Sequence, residues 1–392
     1  MEAKKTAVMY GAGNIGRGFI GQVLHDSGYE VVFIDIAADL IDTFQKEGAY
    51  TITVVCGDKE EQKKIENVRG VSGFDLDTVA QEISNADIMA VSVGMRILPR
   101  IAGNIAAGLR RRAKEHPGIP LNILICENLP DPEGFVRGIL EEALGEEKAL
   151  LKNTGLVAAT IGRMIPPLPP EKRKVCTDIH VEPFCSLPVD ADAFCGKIPA
   201  LSYLEPYTPF SFCEEKKLYI HNMGHALCAY FGAMKGYTYL YESIADPTIC
   251  FLVRGAMQSS AHAIANAYGE NVDAISTYAE DLVHRFGNAA LGDTVVRVGK
   301  DPLRKLSPKD RLLGGLARCR SQKIPAPQIL MGIAAALHFS DPADTSAQEL
   351  QSALREKGVE AYATENLHLP AEDAREIAWY WRSLPGELGT VL

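Results

Sequence analysis

The stretch Gly11-Ala12-Gly13-Asn14-Ile15-Gly16 lies between an apolar run, Thr6–Tyr10, and a helical pattern over Ile15–Ser27. Glycines spaced as G-x-G-x-x-G between a strand and a helix are typical of the turn that binds the pyrophosphate of a dinucleotide. The spacing alone has little specificity, but the strand before it and the helix after it supply the expected context. The stretch therefore predicts a Rossmann-type domain at the start of the chain.

Each residue of this stretch has an expected role. Gly11 would permit the tight turn, and Gly13 would let the backbone approach a pyrophosphate. Gly16 would let the helix pack close to the strand. Asn14 and Ile15 begin the helix, whose N-terminal N–H groups and positive dipole end would face the anion.

Asp35 ends the second predicted strand, 19 residues after Gly16. An acid there accepts hydrogen bonds from the ribose 2′-hydroxyl and repels a 2′-phosphate, so the sequence favours NAD over NADP. The alternative is a glycine turn in an α/β domain that binds no nucleotide. In that case Asp35 is an ordinary turn residue at a strand end.

Apolar runs and amphipathic stretches such as Ile101–Lys114 alternate through the first half of the chain. Runs that are apolar throughout predict strands buried on both faces, and the alternation with helices predicts a doubly wound parallel sheet. The predicted strands are Thr6–Tyr10, Glu30–Asp35, Ile88–Val93, Leu121–Cys126, Gly155–Ile161 and Lys174–Val181.

The second half is predicted to be mostly helical. The proline-rich stretch 166–170 is expected to be a loop, because proline lacks a backbone donor. We expect a dinucleotide-binding domain over 1–205 and a mostly helical substrate domain over 206–392, with a cleft between them. The predicted helices of the second domain are Lys217–Lys235, Pro247–Tyr268, Asn271–Gly287, Ala326–Leu337, Ser346–Lys357 and Ala371–Arg382.

Composition excludes several classes of protein. The 392 residues are 47% hydrophobic and carry a net charge of -10, which disfavours both a disordered chain and a nucleic-acid-binding protein. The nine cysteines include no C-x-x-C pair, which argues against a disulfide framework or a thiolate zinc site and favours a reducing compartment. No apolar run reaches the ~20 residues of a membrane span, and the N-terminus does not resemble a targeting peptide. We expect a cytoplasmic protein, monomeric or a small homo-oligomer, without membrane or nucleic-acid partners.

The first strong helix of the second domain carries Lys217, Asn222 and His225. At about 100° per residue these polar side chains fall within roughly 140° of one another on a largely apolar helix. A solvated helix face is the plain interpretation. A metal site is a further alternative, because His221 and His225 are spaced i, i+4, but the metalloprotease pattern requires Glu at position 222 and this chain has Asn. We therefore predict no metal.

The Lys-x4-Asn-x2-His spacing resembles the signature of the polyol-specific long-chain dehydrogenases, the mannitol dehydrogenase family. Three further stretches, 11–21, 126–128 and 297–306, are similar to the same family at matching spacing, so the resemblance covers nearly the whole chain. It implies metal-independent hydride transfer between NAD and a sugar alcohol or its phosphate, of the mannitol 1-phosphate and fructose 6-phosphate type.

The resemblance also implies roles for single residues. Lys217 would be the general base, and Asn222 and Asn128 would donate hydrogen bonds to the developing alkoxide. His225 would position the substrate, and Val93 would lie in the cofactor site. Burial would lower the pKa of a lysine toward neutrality, as this base requires.

The basic run near the end of the chain bears on the substrate. Arg297, Arg304 and Lys305 would bind a phosphate at the end of the substrate farthest from the hydride. The alternative is a surface cluster of cations paired with Asp301 and Asp310.

The sequence departs from the family pattern at three places. Gly162 stands where relatives have an active-site Asp, Arg96 follows Val93 where a small or polar residue is usual, and the segment 182–186 lacks a second acid. Two rival functions therefore remain: oxidation and reduction of unphosphorylated alditols or hexuronates such as fructuronate and tagaturonate, and NAD binding without turnover.

Overall fold

The computed structural model describes residues 5–168 and 170–389. The chain divides into two compact units, Met1–Cys213 and Glu214–Leu392. The first is a Rossmann-like α/β unit and the second is mostly helical, as predicted. The division falls inside a helix that begins at Ser211, somewhat later than the expected boundary at 205.

A six-stranded parallel sheet forms the centre of the first unit, in the order β5-β2-β1-β6-β7-β8. The strand order reverses between β1 and β6. In open α/β sheets, ligands bind beyond the carboxyl ends of the strands at such a switch point. The strands are β1 Thr6–Tyr10, β2 Glu30–Asp35, β3 Ala49–Cys56, β4 Lys59–Glu66, β5 Val68–Ser72, β6 Ile88–Val91, β7 Leu121–Ile125, β8 Thr154–Ala158, β9 His180–Val181, β10 Leu187–Asp190 and β11 Leu204–Tyr207.

The sheet is buried on both faces, as its apolar strands predict. Val8 and Tyr10 of β1 pack on one face with the helix Leu98–Glu115, while Ala7 and Met9 pack on the other. The helices of the first unit are Gly16–Ile20, which is π-helical, then Gly21–Asp26, Ala38–Glu47, Leu76–Asn85, Leu98–Glu115 and Pro132–Leu144, with 3-10 turns at Gly145–Asn153 and Pro170–Lys172.

Two predictions for the first unit need correction. The strand expected over Lys174–Val181 is only His180–Val181, because Asp178 Oδ2 accepts from the backbone N–H groups of Lys174 and Val175, at 2.5 and 3.0 Å, and closes a turn. The antiparallel pair β3–β4 was not predicted, since β4 is almost entirely charged and exposed. In the proline-rich stretch, residues 166–168 form no regular structure, whereas Pro169 lies outside the described residues.

The second unit is built around one buried helix, Met223–Met234. Tyr230 and Phe231 on this helix are fully buried, and the helix contacts several neighbours. The helical segments from Ser211 onward are Ser211–Lys216, the π-helical Lys217–Asn222, Met223–Met234, Leu240–Ala245, Pro247–Tyr268, Val272–Phe286, the 3-10 turn Ala289–Leu291, Val295–Gly299, Pro302–Lys305, Arg311–Ser321, Pro327–His338, Thr345–Lys357, Val359–Glu365 and Ala371–Leu388.

The glycine loop provides a test of this packing. Gly11 has φ +103°, and a Cβ at this position would lie 2.2 Å from the carbonyl oxygen of Ser92, whereas a Cβ on Gly13 would meet nothing within 4 Å. We expect Gly11→Ala to lower the free energy of unfolding by about 2 kcal/mol or more, and Gly13→Ala by less than about 0.5 kcal/mol. Urea unfolding of both variants measures the difference. Equal losses would contradict the close contact between the two strand ends.

Candidate active site

The glycine loop lies at the switch point of the sheet. Gly11 follows β1, and its backbone contacts the segment that follows β6 at Ser92. A Cβ on Gly16 would lie 2.0 Å from the carbonyl oxygen of Gly11, so only glycine lets the helix start this close to the strand. Around Gly13 the surface is open, which is the space that a pyrophosphate against the backbone would occupy.

Asp35 links the end of β2 to this loop. Its Oδ2 accepts from the backbone N–H of Ala12 at 2.6 Å, and its Oδ1 accepts from Ile36 and Ala37 at 2.7 and 3.0 Å. An ionised carboxylate has about four acceptor positions, so about one remains for a ligand hydroxyl. The carboxylate therefore has both a structural role in the loop and the capacity to bind a ribose.

The helix after the loop begins at Asn14 and becomes π-helical over Gly16–Ile20. The backbone N–H of Arg17 donates to Gly13 O at 3.0 Å, and the side-chain amide of Asn14 donates to Ile165 O at 3.3 Å. These bonds fix the first turn of the helix, so its N-terminal end is held at the carboxyl edge of the sheet.

Val93 is held by a residue that sequence reasoning did not assign. Glu127, at the end of β7, accepts with Oε1 from the backbone N–H groups of Val93 and Gly94 at 2.6 and 2.8 Å. Burial raises the pKa of the Glu127 carboxyl, and these two hydrogen bonds oppose that rise. The sequence could have pointed to Glu127, because this residue belongs to the 126–128 stretch that resembles the family. Asn128 follows it and is exposed.

The position of the missing family carboxylate is covered by an aromatic ring. A Cβ on Gly162 would lie 3.3 Å from the Phe184 ring. Glu182, the acid kept in the neighbouring segment, is buried and accepts from the backbone N–H of Met164 at 2.6 Å. Glu182 therefore supports the local backbone, and position 162 itself carries no side chain.

In the second unit, the helix that carries the Lys-x4-Asn-x2-His residues differs from the predicted α-helix. Lys217–Asn222 is π-helical, and the backbone N–H of Met223 donates to Leu218 O, five residues back. A wheel of 100° per residue separates Lys217 and Asn222 by roughly 140°. In a π-helix the hydrogen bonds span five residues, and this wider turn instead brings Lys217 and Asn222 to the same face of the helix.

Lys217 lies in a desolvated and cationic environment. Burial and, to a smaller extent, repulsion from Arg311 lower the pKa of its ammonium group to about 8, and Asp310 opposes both effects. Arg311 was not predicted, and its Nε donates to Asp310 Oδ1 at 2.8 Å. A lysine with this pKa is neutral about a tenth of the time at pH 7, far more often than a lysine in water, so it can act as a general base.

His225 is hydrogen-bonded to an acid that sequence reasoning also missed. Its Nε2 lies 3.1 Å from Asp293 Oδ2. The same carboxylate accepts from Nε and Nη2 of Arg297, both at 2.6 Å. Arg297, predicted to bind phosphate, is therefore joined to His225 through Asp293. No spacing rule connects residues 225 and 293, so the sequence carried no signal for this contact.

The other two predicted phosphate ligands have different surroundings. Arg304 is 52% exposed and donates to Asp301 Oδ2 at 2.6 Å and Asp310 Oδ2 at 3.1 Å, which is the pairing of the alternative interpretation. Lys305 is 4% exposed, and among residues 5–168 and 170–389 it has no hydrogen-bonded or ion-paired partner. Burial, together with repulsion from Arg311 and Arg304, lowers the pKa of Lys305 to about 7.

The metal alternative has little structural support. His221 is buried, and burial lowers its pKa well below the usual value, with a smaller contribution from Arg285. Within the described ranges, no group of three or more His, Cys, Asp or Glu side chains is placed to hold a metal ion.

Among the same residues, no helix is long and apolar enough to span a bilayer.

Comparison with known proteins gives a consistent result over both units. The family description of the mannitol dehydrogenase Rossmann domain matches residues 5–203, and that of the mannitol dehydrogenase C-terminal domain matches 209–371. A mannitol-1-phosphate 5-dehydrogenase of Brevibacillus brevis is 36% identical over 359 residues, which are 90% of this chain and 91% of the relative.

Two solved structures share the fold. The mannitol 2-dehydrogenase of Pseudomonas fluorescens, in a ternary complex with NAD and D-mannitol, has a TM-score of 0.75 at 17% identity and covers 98% of this chain and 93% of its own. A substrate-free D-sorbitol dehydrogenase has a TM-score of 0.80 at 16% identity, and the match covers 98% of this chain and 94% of the sorbitol dehydrogenase chain. The family resemblance predicted from the motifs is confirmed: the chain belongs to the mannitol dehydrogenase family and is an oxidoreductase.

Proposed function

We propose that this protein interconverts a hexitol phosphate and a ketose phosphate, of the mannitol 1-phosphate and fructose 6-phosphate type, with NAD as cofactor and without a metal. The Brevibacillus relative with that activity supports the proposal over nearly the whole chain. The structural observation that carries the phosphate assignment is Lys305, a buried cation without a carboxylate partner in the described part of the chain.

The first unit has the features that NAD requires. Gly13 leaves open backbone at the start of a helix, and Asp35 keeps about one acceptor position beside it. Glu127 fixes the backbone at Val93, the residue that the resemblance places in the cofactor site. These residues would hold NAD, which would supply the hydride acceptor for the carbinol carbon.

The second unit supplies the proton chemistry. Lys217 takes the hydroxyl proton on its Nζ during oxidation and returns it to the oxygen during reduction. Asn222, and Asn128 of the first unit by the same resemblance, donate neutral hydrogen bonds to the alkoxide oxygen. Amide donors favour the alkoxide without competing for the proton, so Lys217 remains the base.

The rival functions rest on Gly162. Phe184 lies against this position, where the chain has glycine in place of the family Asp, so the contacts to a substrate hydroxyl would differ from those of the family. An alditol or hexuronate oxidoreductase, or an NAD-binding protein without turnover, remains the second candidate. A panel of ketose phosphates, free ketoses and hexuronates, followed by NADH absorbance, separates the three.

We further infer a cytoplasmic enzyme that is a monomer or a small homo-oligomer acting on a small-molecule substrate. All nine cysteines are free thiols, which supports a reducing compartment.

The cofactor assignment predicts the effect of changing Asp35. Asp35→Ser removes the charge that would repel a 2′-phosphate, so the preference for NADH over NADPH should fall by at least about tenfold. Titration of both cofactors measures this. Because the variant also loses three backbone hydrogen bonds, Asn271→Ala serves as control, since Asn271 accepts from Asp273 and Ala274 in the second unit. Equal or tighter NADPH binding by the unaltered protein would show that Asp35 does not face the ribose.

The base assignment predicts a large loss of turnover. Lys217→Ala should lower kcat by ~10²–10⁴, the usual contribution of general acid–base catalysis, with NADH binding nearly unchanged. Lys216→Ala is the matched control, since Lys216 Nζ lies over the Tyr278 ring at 5.0 Å. Near-normal turnover of Lys217→Ala would overturn the assignment, as would loss of activity on prolonged chelation.

The pKa of Lys217 sets the pH dependence of both directions. Oxidation needs the neutral amine, so its kcat/KM should rise with pH and level off above about pH 8. Reduction needs the ammonium form and should decline above the same pH. Initial rates in both directions from pH 6 to 10 give the profiles. A flat oxidation profile through pH 8 would be inconsistent with Lys217 as the base.

The phosphate assignment predicts a selective effect on KM. Lys305→Met should raise KM for the phosphorylated ketose about 10- to 100-fold and leave the free ketose unchanged, because a remote phosphate is bound alike in ground and transition states. In the unaltered enzyme, KM for the phosphate ester should rise above about pH 7, as Lys305 loses its charge. Arg304→Gln, at an exposed and already paired cation, should have a smaller effect. If the free sugar matches its phosphate, the phosphate assignment is wrong.

A further inference from the structure

Asp293 is held in one position by its backbone. Its carbonyl oxygen accepts from the N–H of Leu240 at 3.0 Å. The next residue, Thr294, caps the short helix that carries Arg297 and accepts from its backbone N–H at 3.3 Å. Asp293 itself is 8% exposed. The carboxylate therefore has a fixed origin and direction.

The Asp293 carboxylate has three hydrogen-bonding contacts. Oδ1 accepts from Arg297 Nε, and Oδ2 accepts from Arg297 Nη2 and lies 3.1 Å from His225 Nε2. Burial raises the pKa of Asp293, but the hydrogen bonds from His225 and Arg297 outweigh it and lower the pKa to about 2. The group is ionised at neutral pH and can only accept hydrogen bonds.

An acceptor at 3.1 Å determines which nitrogen of His225 carries the proton. Nε2 must be protonated to donate to Asp293, so in the neutral ring Nδ1 carries the lone pair. In the described residues no hydrogen bond involves Nδ1 of His225. This nitrogen is the one available to a ligand.

The His225 ring is also held by its neighbours. It stacks on Phe286 with centroids 5.3 Å apart and meets the His221 ring edge-on at 6.2 Å. The titratable side chains in contact with this ring are those of Asp293 and His221, Arg297 lies on the other side of Asp293, and burial keeps His221 neutral, with repulsion from Arg285 and Lys217 adding to this effect. A half-turn of the ring would break the bond to Asp293, and smaller rotations would also disturb both ring contacts.

We propose that Asp293 is a positioning residue that keeps His225 in the Nε2–H form, so that Nδ1 accepts a hydrogen bond from a substrate hydroxyl next to the reacting carbon. This proposal rests on the proposed function, because it assigns a specificity to the substrate contact of His225. The reacting hydroxyl has a single proton, which goes to Lys217. An acceptor at His225 must therefore bind a different hydroxyl.

The Asp293 carboxylate also orients Arg297, which is a hydrogen-bond donor where His225 Nδ1 is an acceptor. Its Nε and Nη2 each donate to Asp293, which leaves Nη1 and one hydrogen of Nη2 for a ligand. One buried acid thus holds a hydrogen-bond acceptor, His225, beside a donor, Arg297. A hydroxyl that both donates and accepts matches this pair.

The test is Asp293→Asn in the full-length protein. With its oxygen on Arg297 Nε, the amide places its NH2 group at the former Oδ2 position facing His225 Nε2, so Nε2 would give up its proton and Nδ1 would become the donor. We expect ¹⁵N NMR of histidine-labelled protein to show the exchange of tautomers, assigned with His225→Gln. We expect kcat/KM to fall about 10- to 100-fold, as when a substrate is misplaced. Asp293→Glu, which restores the acceptor, should recover the Nε2–H form and part of the rate.

A matched control separates this role from simple loss of a buried acid. Asp246 is likewise buried and accepts from Lys235 Nζ at 2.5 Å, so Asp246→Asn should lower stability without changing the His225 spectrum. The proposal is overturned if Asp293→Asn keeps the Nε2–H form, or if the tautomer changes while kcat/KM stays within twofold. If no sugar is turned over by the unaltered protein, the proposed function fails, while the spectra still decide whether Asp293 fixes the tautomer.

Discussion

Desolvation of cationic side chains is the constraint on which the chemistry of the second unit depends. Burial shifts Lys217 and Lys305 toward neutrality, with pKa values of about 8 and 7. Arg311 adds repulsion to both, and Asp310 limits the shift. An arginine cannot lose its charge in this way, so it stays a cation and needs hydrogen-bond acceptors, as Arg311 finds in Asp310, whereas a lysine can respond by releasing its proton. This difference explains why a proton-transfer role suits Lys217 rather than Arg311.

Local departures from regular geometry occur at both groups of functional residues. The helix after the glycine loop is π-helical over Gly16–Ile20, and the helix of the proposed base is π-helical over Lys217–Asn222. A π-helical turn weakens local hydrogen bonding and is retained mostly where it changes the register of side chains. In the second unit, it brings Lys217 and Asn222 to one face. The packing of Met223–Met234, which is buried on nearly all sides, provides the stability that holds this turn in place.

The sequence predicted those parts of the molecule that depend on local pattern. β1 and β2 have the predicted bounds, as does the helix Pro247–Tyr268, because continuous apolar runs and an Asp-Pro start are local signals. β4 was missed because a charged edge strand forms through its pairing with β3 and has no apolar pattern of its own. The Gly57-Asp58 turn between them was the available signal.

The candidate site was predictable residue by residue but not contact by contact. Motifs identified Lys217, Asn222 and His225, since their spacing is a property of one helix. Asp293 and Glu127 act through contacts between distant segments, which no spacing rule describes. The cations of the basic run differ in this respect: the pair Asp293 and Arg297 has an i, i+4 spacing that the sequence shows, whereas the burial of Lys305 depends on packing.

The charged residues around Lys305 have no net charge. The protonation state of Lys305 therefore decides whether the cluster attracts an anion. The residues that influence it are the cations Arg304 and Arg311 and the acids Asp301 and Asp310, which cancel one another. With Lys305 protonated the cluster carries a single positive charge, and with Lys305 neutral it carries none. A phosphate dianion would raise the pKa of Lys305 on binding, because an opposite charge at short range favours the ammonium form. Binding of a phosphorylated substrate would then be coupled to uptake of a proton from solvent, whereas binding of a free sugar would not. In the proposed function, this coupling would give the cluster a means to distinguish the two substrate classes that does not depend on their shape.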